Sequence, residues 1–390
     1  MKIFFIFYLL IFILPAAHAF STPAKSAYLY DYHSGAVLFD KDADELMPPS
    51  SMLKLMTIAL GMQALQDGEL KLADKLPVSK NADYQNPVWH SASKICLSEG
   101  QRVSVSDLLD GMIVLSGGDA SVVLAEKLAG SESAFTDKMT AFARGIGMEN
   151  STFGNATGLP HPDNLMTSRE LGILAKYIID KFPEYYPRFA QRRFEFGDFK
   201  SDWCRQWGAS HTLNYNKLLF IMGGADGLKT GHTSSGGYGM VASARRGGRR
   251  LIGVINGLRA ADHNALAGQM KKLLEFGFSD FQNKSFIKSD AVIAEIPVWY
   301  GRRNFVAAGV ANDFVLTFQK NQTGDGIKII ARYEEPLRAP VSAGQKLGAV
   351  IAMRDGREIA RADLVAKSRV GRAWFFGRIM QNIRVIFNGR

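Results

Sequence analysis

Ser51 and Lys54, three residues apart, form the first pattern in the sequence that could do covalent chemistry. The apolar spacing from Ser50 to Leu65 predicts a helix, and residues three apart share one face of a helix. The Lys54 amine would then reach the Ser51 hydroxyl and, once burial has lowered its pKa, accept the serine proton. The positive end of the helix dipole would stabilise the developing alkoxide. Ser50 is also close to Lys54, but we predict that it is the N-cap residue and a poorer nucleophile.

Two further patterns follow along the chain. Ser116-Gly117-Gly118 comes after a predicted helix, where its hydroxyl could relay a proton, although the glycines alone also fit a plain helix end. Lys229-Thr230-Gly231-His232-Thr233 fits an exposed strand edge, either an ordinary one or one whose free N–H and C=O groups pair with an extended peptide. Glycine in that strand would allow close approach of a substrate, and its lysine would attract a carboxylate.

Taken in this order, the three patterns resemble the S-x-x-K, S-x-N and K-T-G signature of penicillin-binding proteins. The neighbouring residues 49–57, 155–160 and 226–233 are similar to those of the low-molecular-mass D-alanyl-D-alanine carboxypeptidases. The resemblance extends from Tyr28 to about Leu364 and includes the terminal helix. It implies an α/β (α+β) penicillin-binding domain with an antiparallel sheet and a helical lobe, then a small all-β domain and a C-terminal amphipathic helix.

The resemblance also implies catalytic roles. Ser51 would attack the D-Ala-D-Ala carbonyl and form an acyl-enzyme, with Lys54 as the general base. Ser116 would shuttle a proton together with Lys229. Water would then release the shortened peptide and free D-alanine, and penicillin would acylate Ser51 in place of the substrate.

The same resemblance implies how the substrate is held. The backbone N–H groups of Ser51 and His232 would form the oxyanion hole. Lys229 and Thr230 would help to hold the terminal carboxylate, and Gly231 would lie against the substrate. The implied partners are a peptidoglycan stem peptide ending in D-Ala-D-Ala and β-lactam antibiotics as covalent inhibitors.

Gly118 departs from the family pattern, because the third position of the middle motif is usually asparagine. We predict only that it lines the site, since its missing amide would normally orient Lys54 and the substrate. Losing such a contact would cost about 1–3 kcal/mol. Two alternatives therefore stay open: a catalytically weakened penicillin- or peptidoglycan-binding protein, and a β-lactamase, which the lack of an E-x-x-L-N pattern disfavours.

The elements that must position these residues are predicted from periodicity and turn residues. Two β-hairpins are predicted, one with Gly35 in its turn and one around Arg245–Arg250, whose arginines we expect at a solvated tip. The predicted helices cover residues 106–117, 120–128, 168–179, opened by a capping box at Thr167, and 271–278. Strands are predicted at residues 291–294, 314–317, 327–330, 341–351 and 358–364.

Both ends of the chain carry segments outside these domains. Residues 1–19 read as a signal peptide with Ala17-His18-Ala19 before the cleavage point, or alternatively as an uncleaved anchor. We predict a serine carboxypeptidase domain at 20–284, a small β-sandwich at 285–370 and a membrane-anchoring amphipathic helix at 371–390. That last helix could instead pack on its own protein.

The composition of the chain indicates which classes of partner it could bind. The formal net charge of +10 suits an anionic wall polymer or membrane surface, and export argues against nucleic acid. We therefore expect the protein at the periplasmic face of the inner membrane, bound there by its C-terminal helix. No motif indicates a metal or a cofactor. Cys96 and Cys204 fit either a disulfide or two unpaired buried thiols.

Overall fold

The computed structural model of the chain describes residues 20–322 and 324–374. The helices are α1 (Lys54–Gln66), α2 (Val105–Val114), α3 (Gly118–Ala129), α4 (Glu132–Gly145), α5 (Ser168–Lys181), α6 (Asp202–Ser210), α7 (Leu218–Ile221) and α8 (His263–Asp280). The strands before α8 are β1 (Ser26–Asp31), β2 (Val37–Lys41), β3 (Lys75–Pro77), β4 (Arg102–Ser104), β5 (Ala225–Thr233), β6 (Gly237–Arg246) and β7 (Arg249–Leu258). The strands after α8 are β8 (Phe281–Ile287), β9 (Ala294–Trp299), β10 (Phe305–Val310), β11 (Phe314–Gln319), β12 (Lys328–Tyr333), β13 (Leu337–Arg338), β14 (Lys346–Arg354) and β15 (Arg357–Ala366).

An antiparallel sheet in the order β2-β1-β7-β6-β5 organises the N-terminal α/β domain. Because strand side chains alternate between faces, Val241 and Ile252 join one core with helices α1, α2, α3 and α5. Met240 and Ile255 join a second core, formed with α8. The sheet is therefore covered on both faces, and β5 remains at its edge, as predicted.

Both predicted hairpins are present. Gly35 has a φ of +71° in the β1–β2 turn, and Gly247 and Gly248 have φ values of +56° and +79° between β6 and β7. The expectation of a fully solvated arginine tip is wrong for Arg249 and Arg250. Arg249 forms a buried ion pair with Asp31, and Arg250 pairs with Asp226 and donates to Tyr186. The strand pleat directs these two side chains to opposite faces of the sheet, where each meets a carboxylate, whereas Arg245 and Arg246 are exposed.

Helix α1 lies at the centre of the first core, with buried residues on all its sides, as expected for a helix that is apolar all round. The chain enters it through a 3-10 turn, Ser50–Leu53. The predicted N-cap role of Ser50 is wrong: no side chain caps this turn, Ser50 has a φ of +50°, and its hydroxyl lies 3.1 Å from that of Thr233. The tight turn directs this side chain toward β5 instead of toward α1.

The other predicted helices differ from observation mainly at their ends. Helix α2 ends at Val114, three residues early, because Ser116 adopts a φ of +60° in the tight connection to α3. At α5, Thr167 accepts from the Glu170 amide as predicted, but the Glu170 carboxylate accepts from Asn150 and Ser151 instead of completing the capping box. Helix α8 begins at His263, well before the predicted residue 271.

The C-terminal domain is all β, as predicted. Strands β12, β14, β15, β10, β9 and β13 form one sheet in that order, and β8 pairs with β11 as a two-stranded ribbon. Phe314 and Phe318 of the ribbon share an apolar core with Ile296 and Val350 of the larger sheet. The strand predicted at 291–294 is wrong by several residues, since β9 begins only at Ala294.

The predicted C-terminal helix also needs a correction at its start. Arg372 forms a bridge to Gly301 and the Ala373 amide donates to the Tyr300 carbonyl, so residues 371–374 are extended and the predicted helix does not start there. The remainder of that predicted helix, residues 375–390, and the predicted signal peptide, residues 1–19, lie outside the described residues. Among the described residues, no helix has both the length and the apolar character required to cross a membrane.

Candidate active site

Ser51 and Lys54 face each other at the start of the buried helix. Lys54 Nζ lies 3.0 Å from Ser51 Oγ, within hydrogen-bond reach of the proton it would remove. Lys54 is 2% exposed, whereas Ser51 is only half-buried and remains accessible. Burial lowers the pKa of Lys54 to about 7, against the opposing effect of the Asp119 carboxylate. A lysine with this pKa is a competent base near neutrality.

A turn at residues 155–158 holds the amine in place. Lys54 Nζ donates to the Thr157 carbonyl at 2.5 Å, and the Thr57 hydroxyl of the same helix donates to the Ala156 carbonyl at 2.7 Å. Asn155 Oδ1 accepts from the amides of Thr157 and Gly158, which fixes the turn. The Thr157 carbonyl therefore directs Lys54 without adding a full charge.

Ser116 and Lys229 form a second amine–hydroxyl pair. Lys229 Nζ donates to Ser116 Oγ at 2.9 Å and to the Thr230 carbonyl at 2.8 Å. Lys229 is 1% exposed, and burial together with the nearby charge of Lys54 lowers its pKa well below the usual value. A charge on Lys54 therefore disfavours a second charge on Lys229, which favours the neutral form of the Lys229 amine.

Strand β5 packs closely on the 3-10 turn that carries Ser51. A Cβ atom on Gly231 would lie 2.9 Å from the Ser51 amide nitrogen and 2.9 Å from the Pro49 carbonyl oxygen. Only glycine permits this approach, which brings the Ser51 backbone next to the backbone of His232. The predicted oxyanion-hole residues are therefore neighbours, and Thr230 lies beside them on the same strand.

Gly118 has a steric explanation. A Cβ atom there would lie 2.5 Å from Trp89 Cζ3 and 3.2 Å from the Ser93 carbonyl oxygen, which accepts from the Gly118 amide. Trp89 is 2% exposed and its indole nitrogen donates to the Asn81 carbonyl. An indole edge therefore occupies the space that the asparagine of the S-x-N pattern would need.

Asp119 contacts the segment beside Gly118 and also affects the pKa of Lys54. Its fully buried carboxylate accepts from the amides of Ile95, Leu97 and Ala120 at 2.9–3.1 Å. Burial raises the pKa of Asp119, and these backbone hydrogen bonds oppose that rise. The same group thus holds residues 95–97 against α3 and raises the pKa of Lys54.

Cys96 and Cys204 form a disulfide with a Cα–Cα distance of 5.8 Å, which decides between the two readings of the cysteines. Their separation in sequence is 108 residues. The bond attaches α6 to the segment that runs from Trp89 to Leu97 beside Gly118. In the described part of the chain, no group of three or more histidine, cysteine, aspartate or glutamate side chains is arranged to hold a metal ion.

The sequence patterns located Ser51, Lys54, Ser116 and Lys229, which the structure brings together as two contacting pairs. They missed the roles of Thr157, Asp119 and Trp89 in building the site. An Asn-x-x-Gly turn was visible at 155–158, but nothing in the sequence indicates which side chain its carbonyl would meet. The contact between Trp89 and Gly118 joins residues 29 positions apart and has no local signal.

Comparison with known proteins gives an independent view of the whole chain. A family model described as D-alanyl-D-alanine carboxypeptidase matches residues 15–259, and one described as the C-terminal domain of penicillin-binding protein 5 matches residues 281–372. The chain is 33% identical over 370 residues to the D-alanyl-D-alanine carboxypeptidase DacC of Escherichia coli, covering 94% of this chain and 89% of the relative.

Solved structures of other proteins have folds similar to that of this chain. Penicillin-binding protein 5 from Haemophilus influenzae superposes with a TM-score of 0.76 at 32% identity, covering 90% of this chain and 100% of the other. Penicillin-binding protein D2 from Listeria monocytogenes, solved with ampicillin bound, gives a TM-score of 0.56 at 27% identity and covers 67% of this chain and 99% of its own.

Proposed function

The chain belongs to the D-alanyl-D-alanine carboxypeptidase family of penicillin-binding serine peptidases, and from this membership we propose that Ser51 is its nucleophile and Lys54 its general base. The observation that carries the assignment is the 3.0 Å contact between Ser51 Oγ and a buried amine whose pKa is about 7. The substrate is a peptidoglycan peptide ending in D-Ala-D-Ala, and β-lactams acylate the same serine.

In acylation, Ser51 loses its proton, the leaving D-alanine nitrogen gains one, and an ester bond to Ser51 replaces the C–N bond of the substrate. Lys54 accepts the Ser51 proton while Oγ attacks the carbonyl of the penultimate D-alanine, and the Ser51 and His232 amides stabilise the oxyanion. Ser116 gives its proton to the departing D-alanine nitrogen as the C–N bond breaks. The Ser116–Lys229 contact at 2.9 Å supports return of a proton to Ser116 from the lysine pair.

Deacylation repeats the sequence with water in place of the serine hydroxyl. Lys54 activates the water, which attacks the ester carbonyl and releases the shortened peptide, and the proton returns to Ser51. Strand β5 supports substrate positioning, since its outer edge is unpaired in the sheet and suits an extended peptide. Thr230 would then contact the substrate's terminal carboxylate, and a carboxylate bound there would favour protonation of Lys229, which would help to hold it.

Intact-mass analysis after penicillin treatment, combined with an assay of D-alanine release from a D-Ala-D-Ala pentapeptide, tests this proposal. We expect one adduct, mapped to Ser51, and release of D-alanine at many times the rate of Ser51→Ala. Ser50→Ala is a matched control, because the neighbouring hydroxyl contacts Thr233 and not Lys54. An adduct at another residue would overturn the nucleophile assignment.

The same assay separates the alternatives left by Gly118. Penicillin labelling without D-alanine release above the Ser51→Ala control would favour a weakened binding protein, and rapid hydrolysis of the penicillin adduct would favour a β-lactamase. We expect neither result, because the two amine–hydroxyl pairs are intact without an amide at position 118.

The site of action follows from the same substrate. We propose that residues 1–19 direct export and that residues 375–390 hold the enzyme at the periplasmic face of the inner membrane. Deleting 375–390, which spares the bridge from Arg372 to Gly301, should move the protein to the soluble periplasmic fraction and leave activity on soluble peptide intact. Unchanged membrane association would contradict the anchor.

A further inference from the structure

A cavity lies beside the wall that carries Gly118. It has a volume of about 340 Å³ and is lined by Tyr84, Gln85, His90, Lys94 and Trp203. Tyr84 and Trp203 stack with their ring centroids 6.0 Å apart and 12° between their planes, and we call this pair the aromatic platform. Trp203 is 53% exposed, which is a large apolar surface for a side chain that contributes to no core.

The aromatic platform is held rigidly. The disulfide at Cys204, the residue next to Trp203, attaches α6 to Cys96. The Lys94 ammonium lies 5.6 Å from the Trp203 ring centroid and donates to the Trp89 carbonyl at 2.5 Å, with Lys94 only 5% exposed. A covalent bond and a buried cation thus fix an exposed aromatic ring, which preorganises it for a ligand.

The segment that lines the cavity contacts the active-site residues 116–118. The Ser93 carbonyl accepts from the Gly118 amide at 2.8 Å, and Gly118 is two residues from Ser116. Counting extended chain lengths, Lys94 lies within about 15 Å of Ser116. A pentapeptide places three residues between its reactive D-alanine and the sugar that bears it, about 10 Å when extended. The sugar ring itself extends this reach beyond the three peptide residues, so one substrate molecule can extend from the active site toward the cavity.

We propose that this cavity is a subsite for the glycan of the substrate, in which an N-acetylated sugar ring packs on the aromatic platform. The inference rests on the proposed function, because it assumes that the peptide end of the same molecule is at Ser51. Aromatic faces pack against the apolar face of a sugar, and Gln85 and His90 offer hydrogen bonds to its hydroxyl and acetamido groups. The charge of Lys94 disfavours the main competing occupant, a cationic side chain of the stem peptide.

The test compares two substrates in the full chain: the free pentapeptide, and the same pentapeptide attached to its N-acetylated disaccharide. We expect wild-type kcat/KM to be higher for the disaccharide-linked substrate. Trp203→Ala should reduce the ratio of the two kcat/KM values about tenfold toward one, through KM, whereas Trp203→Phe should keep most of it. Trp374→Ala removes a tryptophan of the other domain that is 78% exposed, more than Trp203, and it should leave the ratio unchanged.

An equal loss of kcat/KM for both substrates in Trp203→Ala would overturn the subsite. A ratio of one between the two substrates in the wild type would overturn it as well. If the effect of Trp203→Ala on kcat/KM depends on the third residue of the peptide and not on the sugar, the cavity binds a peptide side chain. That result would also overturn the glycan subsite. Titration of tryptophan fluorescence with the disaccharide alone keeps the test separate from catalysis. Absence of D-alanine release from either substrate, with saturable quenching by the disaccharide, would reject the proposed function and retain the subsite.

Discussion

Lys54 and Lys229 set the chemistry at the scale of single residues, because both amines are buried and each faces one hydroxyl. A buried ammonium is costly unless it is paired, and the carbonyl partners of these amines carry no full charge. The fold therefore favours the neutral amine that the reaction needs. Asp119 limits this effect at Lys54, since its carboxylate raises the pKa that burial lowers.

The first prediction concerns pH. Lys54 acts as a base only when neutral, and its pKa of about 7 makes the protonated form predominate below that value. The second-order rate constant for acylation by a fluorescent penicillin should therefore fall about tenfold per pH unit below pH 6, reach half its maximum near pH 7 and level off above pH 8. A half-maximum near the ordinary lysine value would show that the amine is not desolvated.

The second prediction concerns Gly118 and Trp89, because any side chain introduced at position 118 would need the volume that the indole occupies. Gly118→Asn should destabilise the protein by about 1–3 kcal/mol through overpacking, and Trp89→Ala by about 3–5 kcal/mol through a cavity. Equilibrium unfolding of the double variant should show clearly less than the sum, because the asparagine then fills the space left by the indole. Gly118→Ala separates the steric effect from the amide, and strictly additive free energies would contradict the shared volume.

At this scale the sequence predicted the reactive groups and not their surroundings. Ser51 and Lys54 are one helical turn apart, so local geometry was enough to pair them. Trp89 and Gly118 meet only through tertiary packing. The same limit applies to Ser50, which reads as an N-cap by residue type but points toward Thr233 because the chain enters α1 through a 3-10 turn.

At the scale of elements, the contact between β5 and the 3-10 turn before α1 positions the oxyanion hole. The strand and the turn belong to different layers of the domain, and Gly231 sets how closely they approach. The hydroxyl contact between Ser50 and Thr233 joins the same two elements on the other side of the glycine. Their separation is therefore fixed at two points.

The third prediction follows from this contact. Gly231→Ala would place a methyl group 2.9 Å from the Ser51 amide nitrogen, so the strand and the turn must separate. We expect the acylation rate constant to fall about 10²- to 10³-fold, as when one oxyanion donor is lost. Gly268→Ala is a matched control in α8, where a Cβ atom would meet open space, and it should leave the rate unchanged. Equal acylation rate constants for Gly231→Ala and Gly268→Ala would contradict the close approach of β5 to the 3-10 turn.

The elements themselves were largely predictable wherever local signals are strong. Alternation around Gly35 and around Gly247-Gly248 gave both hairpins, because only the turn residues and the apolar period are needed. Helix ends were less predictable: α2 stops early because Ser116 takes a left-handed conformation in the connection to α3. Arg249 and Arg250 were misplaced because ion pairs with Asp31 and Asp226 depend on distant strands.

At the scale of the whole molecule, Asp31 joins the two domains. Its fully buried carboxylate accepts from Arg249 Nε at 2.6 Å and from Asn283 Nδ2 at 3.0 Å, and Asn283 belongs to β8 of the C-terminal domain. Ser34 and Thr317 form a hydroxyl contact across the same junction. The junction is therefore polar and organised around one acidic group.

The fourth prediction tests this junction. Asp31→Asn removes the charge that pairs with Arg249 inside the protein, so we expect a loss of about 3–5 kcal/mol and separated unfolding transitions of the two domains in calorimetry. Asp313→Asn is a matched control, because it breaks an exposed pair with Lys288 near the same junction and should cost less than about 1 kcal/mol. A single, unshifted transition for Asp31→Asn would show that the domains are held by other contacts.

The overall architecture was predictable because composition and periodicity change along the chain, from helices around a sheet to short strands alone. The relation between the domains was not, since Asp31 and Asn283 are 252 residues apart and neither belongs to a motif. The junction also contains a cavity of about 1120 Å³, lined by polar and apolar side chains of both domains, which no sequence pattern indicated.

The bond between Cys96 and Cys204 makes the segment beside Gly118 depend on the redox conditions in which the chain folds. Folding alone does not complete the structure of residues 89–97 next to Gly118, because their covalent bond to α6 forms only by thiol oxidation. A copy retained in a reducing cytosol would hold every residue of the mechanism and still lack that bond. Preparations made without an oxidising step should therefore be checked for free thiols before their turnover is compared with that of the oxidised protein.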